Sequence, residues 1–165
     1  GASNFALKDL DISFNKSREH SVRALCRLIR SSRLSTLRMG FQAFGAGSRI
    51  DLVPLFAAVA SNSYLREWEI GGNSLRDEDM PALIRTLAEN KALKVLDISE
   101  NRFTNKSIDV LASNLRSLSL EQLVMEDVRD LNQESILILA NSMPVGSSLC
   151  VIEVDEALQD GDEWK

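Results

Sequence analysis

The sequence predicts an α/β solenoid: a horseshoe of about six stacked units, each a short strand of a parallel concave sheet followed by a convex helix. Three observations predict it. A frame that is apolar at its first, fourth and sixth places recurs along the chain, starting at Leu7, Leu34, Leu65, Leu93, Leu120 and Leu149. The fourth place holds Leu10, Leu37, Trp68, Leu96, Leu123 and Ile152, and the sixth Ile12, Met39, Ile70, Ile98, Met125 and Val154, with mostly polar residues between them. That alternation is the mark of a half-buried strand. After the frame the apolar spacing becomes helical, as at Ile108, Leu111, Ala112 and Leu115. One strand and one helix cannot bury both apolar faces alone, so the units must stack on one another.

In the first unit the pattern gives a strand over residues 9–13 and a helix over residues 19–30. Val22, Leu25 and Ile29 face inward, and Arg18, Arg23, Arg27 and Arg30 lie on the outer face. The second strand, residues 36–40, leads into Phe41-Gln42-Ala43-Phe44-Gly45-Ala46-Gly47-Ser48, a loop too rich in glycine for helix. Its helix starts near Asp51, tolerates Pro54 in the first turn, and turns Leu52, Leu55, Phe56 and Val59 inward. In the third unit Trp68 replaces leucine, so its neighbours must be small or rearranged. Asp77 is the expected N-cap there, Pro81 sits in the first turn, and Leu83, Ile84 and Leu87 face the core. Asn105 is the expected cap of the fourth helix and Asn132 of the fifth, whose inner residues are Ile136, Leu139 and Ala140. A last strand over residues 151–155 runs out into an acidic end.

The ninth place of the frame is Asn15, Gln42, Asn73, Asn101, Val128 and Ala157. An amide there can bond backbone groups of the neighbouring coil. Val128 and Ala157 cannot, which predicts a weaker ladder and irregular turns toward the C-terminal end. The frame L-x-x-L-x-I-x-x-N, complete at residues 93–101, recurs at steps of 27, 31, 28, 27 and 29 residues with a helix after each strand. In this the chain resembles the leucine-rich repeat proteins of the ribonuclease-inhibitor-like class. The resemblance covers residues 7–157. It leaves residues 1–6 as an N-terminal extension or expression remnant and residues 158–165 as an acidic tail. Relatives in that class include ribonuclease inhibitor, the Ran GTPase-activating protein, tropomodulin, the CARMIL-type actin regulators and nucleotide-sensing immune receptors. The resemblance therefore implies a fold and a binding surface without naming a partner.

Composition narrows the possibilities. The 165 residues are 44% hydrophobic, enough for a continuous core in one domain. No stretch approaches the roughly 18 uninterrupted apolar residues of a membrane span, and no basic start followed by an apolar run marks a signal peptide. The frame begins at Leu7 with no room for an end cap, so the chain reads as a piece of a longer array. The two cysteines, Cys26 in the first helix and Cys150 in the last strand, should lie about 24 Å or more apart at roughly 4.8 Å per strand step. That is too far for a disulfide, which needs Cα atoms within about 7 Å. Free thiols point to a reducing, cytoplasmic setting.

Nothing in the sequence supports catalysis, a metal or a cofactor. His20 is the only histidine, no cluster has metal-ligand spacing, and the run Gly45-Ala46-Gly47-Ser48 lacks the lysine of a phosphate-binding loop. The concave face is richer in signal. Places three, five and seven of the frame should point to solvent, and they carry Asp9, Asp11, Arg38, Glu67, Glu69, Asp97, Glu126 and Glu153. Carboxylates held side by side raise the local negative potential and favour a basic protein partner. The expected function is thus a protein–protein interaction scaffold that uses this acidic face. The alternative is a regulator of a small GTPase or of actin assembly. Its contacts would be the convex helix residues Arg23, Arg27 and Arg30 or the loop residues Phe41 and Phe44. The net charge of −5 and the lack of aromatics interleaved with the arginines argue against nucleic acid. Residues 1–49 hold nine Lys and Arg against three Asp and Glu, and residues 50–165 hold ten against twenty-one. This division predicts weak head-to-tail self-association.

Overall fold

The computed structural model describes residues 6–15, 17–42, 50–128, 131–143 and 145–154. Its strands are β1 (Asp9–Asp11), β2 (Thr36–Arg38), β3 (Glu67–Glu69), β4 (Val95–Asp97), β5 (Gln122–Met125) and β6 (Val151–Val154). They form one parallel sheet in chain order. The helices between them are α1 (Glu19–Ser31), α2 (Val53–Ala60), α3 (Met80–Glu89), α4 (Asn105–Asn114) and α5 (Gln133–Ser142). The register follows the frame place by place: Leu10, Leu37, Trp68, Leu96, Leu123 and Ile152 stand side by side across the sheet. Each helix packs on the next, α1 on α2 through to α4 on α5, and the core lies between this layer and the sheet.

The core residues are those the two periodicities select. Leu37, Met39, Trp68, Ile70, Leu96, Ile98, Leu123 and Met125 come from the strands and are almost wholly buried; Val22, Leu25, Ile29, Leu55, Val59, Leu83, Leu87, Ile108, Leu111 and Leu139 meet them from the helices. Cys26 joins them. Trp68 is accommodated by an edge-on Phe56 ring, with centroids 5.9 Å apart and planes at 80°. Its indole N–H is buried without a hydrogen-bond partner. Among the described residues no helix is long and apolar enough to cross a membrane.

The amide ladder forms at the ninth place. Asn73 donates to the carbonyls of Met39, Ile70 and Gly71, and Asn101 donates to those of Ile70, Ile98 and Ser99. Their oxygens accept from backbone amides of the preceding coil, Gln42 for Asn73 and both Asn73 and Leu75 for Asn101. Val128 breaks the series by packing as an apolar core residue. A second ladder sits three places before the frame. Asn62 donates to Ile29 and accepts from Tyr64 and Leu65, and Asn90 donates to Val59 and Asn62 and accepts from Ala92 and Leu93. The sequence reading missed it.

Several local expectations are corrected. The amide ladder stops at Val128 as expected, yet the strands keep their pairing beyond it: β5 and β6 are four residues long and pair over all four. The cap of α4 is Thr104, whose hydroxyl accepts from the Lys106 amide, and not Asn105. Asn105 accepts instead from the Ser135 hydroxyl one repeat on. Asp77 does not cap its own repeat either. Its carboxylate accepts from the Thr104 amide, the Thr104 hydroxyl and the Ser107 hydroxyl, tying the third repeat to the start of α4. In both cases the short side chain finds backbone or hydroxyl donors across the stack, where coils lie only about 4.8 Å apart. Asn132 does cap α5, accepting from the Ser135 amide. Ala140 is exposed, and Ser135 takes an inward position instead. The loop from Ala43 to Arg49, the acidic tail and residues 1–5 lie outside the described residues.

Candidate functional site

Alternation along β1–β6 turns the third and fifth places of the frame to the concave side. Asp9, Asp11 and Glu153 are exposed there, while Arg38, Glu67, Glu69 and Asp97 are partly covered. The seventh place behaves differently, and this corrects the expectation that it faces solvent. Gly40, Gly71 and Ser99 are buried. A Cβ on Gly71 would lie 3.0 Å from the Ser99 carbonyl oxygen, and one on Gly40 would lie 3.3 Å from that of Gly71. The hydroxyls of Ser13 and Ser99 accept from the amides of Gly40 and Glu126. This place is where successive coils close on each other, and among its described residues only Glu126 is exposed.

The acids of the concave face are not equivalent. The Arg38 guanidinium spans two of them, with Nε 2.7 Å from Glu69 Oε1 and Nη2 2.8 Å from Glu67 Oε1. Both carboxylates come from the adjacent strand, where Arg38 stands opposite Glu69. Burial pushes the Glu69 carboxyl up despite this partner. Asp11 and Asp97 each accept from a backbone amide two residues on, Ser13 at 2.9 Å and Ser99 at 2.8 Å. The Ser13 bonds hold the Asp11 carboxyl below the usual carboxylate range. Glu153 accepts from the Gln122 side chain at 2.6 Å. The seven carboxylates face one guanidinium, so the surface stays negative; Arg38 offsets one of the two charges of the central pair, and the rest lie at Asp9, Asp11, Asp97, Glu126 and Glu153.

On the convex side Arg23, Arg27 and Arg30 are all exposed along α1. Arg23 is paired with Glu19 one turn back, and Arg30 donates to the Pro54 carbonyl at 3.4 Å. Among the described residues no cluster of His, Cys, Asp and Glu could hold a metal ion. His20 is exposed. Cys26 and Cys150 are free thiols, the first buried and the second exposed, and burial pushes the Cys26 thiol up.

The eighth place of the frame holds the least expected surface. Phe14, Phe41, Gly72, Glu100 and Asp127 occupy it, and all have left-handed backbone, with φ of 59°, 55°, 65°, 53° and 51°. Phe14 is 76% exposed and Phe41 38%. Their rings stack in parallel with centroids 4.6 Å apart and planes within 6°. The Phe41 ring lies where a side chain on Gly72 would be: a Cβ there would come within 2.5 Å of Phe41 Cδ1. Phe41 had been singled out from its loop; Phe44 lies outside the described residues. Phe14 was missed, although it fills the same place of the frame one repeat earlier, and that shared place was the available signal.

Comparison with known proteins agrees with this geometry. A family model described as "Leucine Rich repeat" matches residues 61–83 and 89–112, the two units in which the asparagine ladder is complete. The chain is similar to the protein phosphatase 1 regulatory subunit 37 homologs of Caenorhabditis elegans and Caenorhabditis briggsae. Identity is 24% over 111 residues, 67% of this chain, for the first and 23% over 145 residues, 87% of this chain, for the second. The matches span 12% and 15% of the lengths of those relatives. Among solved structures, leiomodin-1 actin-binding site 2 superposes with a TM-score of 0.63 at 12% identity, covering 93% of this chain and 73% of that one. The tropomodulin C-terminal domain from Caenorhabditis elegans gives a TM-score of 0.57 at 16% identity, covering 93% and 76%. These two likenesses show the fold.

Proposed function

Because the chain is a leucine-rich repeat protein, we propose that it is a protein-interaction scaffold whose concave sheet receives a basic surface of another protein. The observation that carries this reading is the set of carboxylates fixed on parallel strands, above all Asp11 and Asp97, whose bonds from the Ser13 and Ser99 amides hold them aimed. Rigid placement removes the ordering cost a mobile side chain would carry on binding. The names of the curated relatives support a place on the regulatory side of an enzyme complex, as a recognition surface without chemistry of its own. Regulation of actin assembly is the second reading, supported by the fold shared with leiomodin-1 and tropomodulin, with the convex arginines or Phe41 as contacts.

The test is capture of partners from cell extract by the wild-type chain and by two charge-matched variants. One neutralises the face as Asp11→Asn, Asp97→Asn and Glu126→Gln, keeping an oxygen where Ser13 and Ser99 donate. The other neutralises α1 as Arg23→Gln, Arg27→Gln and Arg30→Gln. A basic partner lost only with the concave variant supports the first reading. Retention there, with loss on the α1 variant, refutes it in favour of the convex contacts.

A further inference from the structure

We propose that the stacked Phe14–Phe41 pair is a recognition site for an extended segment of a partner that carries an aromatic or large apolar side chain with a basic residue four positions away. This deepens the scaffold reading above and rests on it. The reasoning starts from backbone conformation. Left-handed φ is disfavoured for residues with a Cβ by about 1–2 kcal/mol, and a bulky aromatic there is a true outlier. Burial could offset that cost at either position, but Phe14 is 76% exposed. The mutual stack returns only part of it. Left-handed backbone recurs at this place in each described coil, so what sets Phe14 and Phe41 apart is a bulky, exposed aromatic carried where the backbone least favours one.

The surroundings shape the site further. Gly72 is the next residue in the row, and its missing side chain is what lets the Phe41 ring lie flat along the rim. Beyond that gap the row turns acidic at Glu100, with Glu126 exposed beside it. An apolar platform followed by carboxylates has the charge complement of an apolar-then-basic segment. The spacing follows from the stack. Phe41 and Glu100 are two coils apart, about 10 Å at roughly 4.8 Å per step, and an extended peptide rises about 3.3 Å per residue. Side chains of an extended segment alternate between faces, so the basic residue that shares the anchor's face beyond Glu100 lies four positions along, about 13 Å away, in the Glu126 neighbourhood. Exposed aromatics are common anchors at interfaces, and here the acids supply orientation.

The experiment is selection of a displayed random 12-residue peptide library on the wild-type chain, with recovered peptides measured by fluorescence anisotropy. The expected result is an enriched aromatic or large apolar residue with Lys or Arg four positions along. Affinity should fall at least tenfold on Phe14→Asn, on Phe41→Asn and on Gly72→Ala, which drives a methyl into the Phe41 ring. Asparagine tolerates left-handed backbone, so Phe14→Asn should not lower Tm, and its lost binding reads the surface and not the fold. Four results overturn the proposal. Peptides that are merely basic, that survive the Phe variants and fail on the Asp11→Asn, Asp97→Asn, Glu126→Gln variant, would leave the concave reading standing without the aromatic site. No enrichment would remove the site as a peptide reader. Sedimentation with mixed phosphatidylcholine–phosphatidylserine vesicles, lost on Phe14→Asn, would make it a membrane contact. Concentration-dependent dimerisation lost on the same variant would make it a self-association surface.

Discussion

Asn101 makes three donor bonds and two acceptor bonds from one amide, joining its own coil to the one before it. Replacing it with alanine leaves buried carbonyls and amides without partners, each costing about 1–3 kcal/mol. Asn101→Ala should therefore lower unfolding free energy by at least that much in chemical denaturation; a change under about 0.5 kcal/mol would mean water replaces the amide. Asp77 makes a second residue-scale prediction with a pH signature. Burial alone would raise its carboxyl, but hydrogen bonds from Ser107 and Thr104 outweigh that and hold it below the usual range. A depressed folded-state value gives stability that is complete above the ordinary aspartate value of about 3.9 and lost as pH falls through the folded value. Asp77→Ala should cost about 2 kcal/mol at pH 7, and the gap to wild type should close only below about pH 4. The frame showed where asparagines mattered, because amide geometry fits one backbone position. It could not assign Asp77, because the donors it meets belong to a different repeat, some 30 residues along the chain.

At the scale of elements, the strands were legible because alternation has a single solution once one face is buried. Leu96 and Ile98 of the fourth coil are each 1% exposed, and truncation of either to alanine should cost about 2–4 kcal/mol by equilibrium denaturation. Losses much smaller than this for both would place the frame in the wrong register. The helices were legible on their inner faces for the same reason, and Val22, Leu25, Ile29, Leu83, Ile84 and Leu87 are all buried. What failed was the step from strand to loop. A strict period of two sends the seventh place to solvent, yet the coil has already begun to turn there, and Gly40, Gly71 and Ser99 meet the next coil instead. The eighth place was invisible for a related reason: a left-handed residue has no periodicity to announce it, and phenylalanine is the residue type least expected to adopt it. Of the candidate contacts, the concave acids were therefore readable as a set, whereas Arg38 bridging Glu67 and Glu69, and Phe14 stacking on Phe41, required three dimensions.

At the scale of the whole molecule, each repeat touches only its neighbours, so stability is a chain of local terms, and in the 165-residue chain taken by itself the first repeat has one interface where a central repeat has two. This makes an order of opening measurable with residues the chain already has. Cys26 lies buried in α1, in the first repeat, and Trp68 lies buried in β3, in the third. Cys150 is exposed and serves as an internal standard that reacts throughout. In a Trp164→Phe background, tryptophan fluorescence reports Trp68 alone. Labelling by a thiol reagent across a urea series should show Cys150 modified at once and Cys26 modified at a lower urea midpoint than the fluorescence change, because the first repeat opens locally before the centre yields. The same series on Asn73→Ala, which cuts the bonds linking the third coil to the second, should bring the Trp68 midpoint down toward that of Cys26. Coincident midpoints in the wild-type chain would instead mean that the interfaces are strong enough to make six coils unfold as one unit, and the ladder of amides running through Asn73 and Asn101 would be the physical cause to examine.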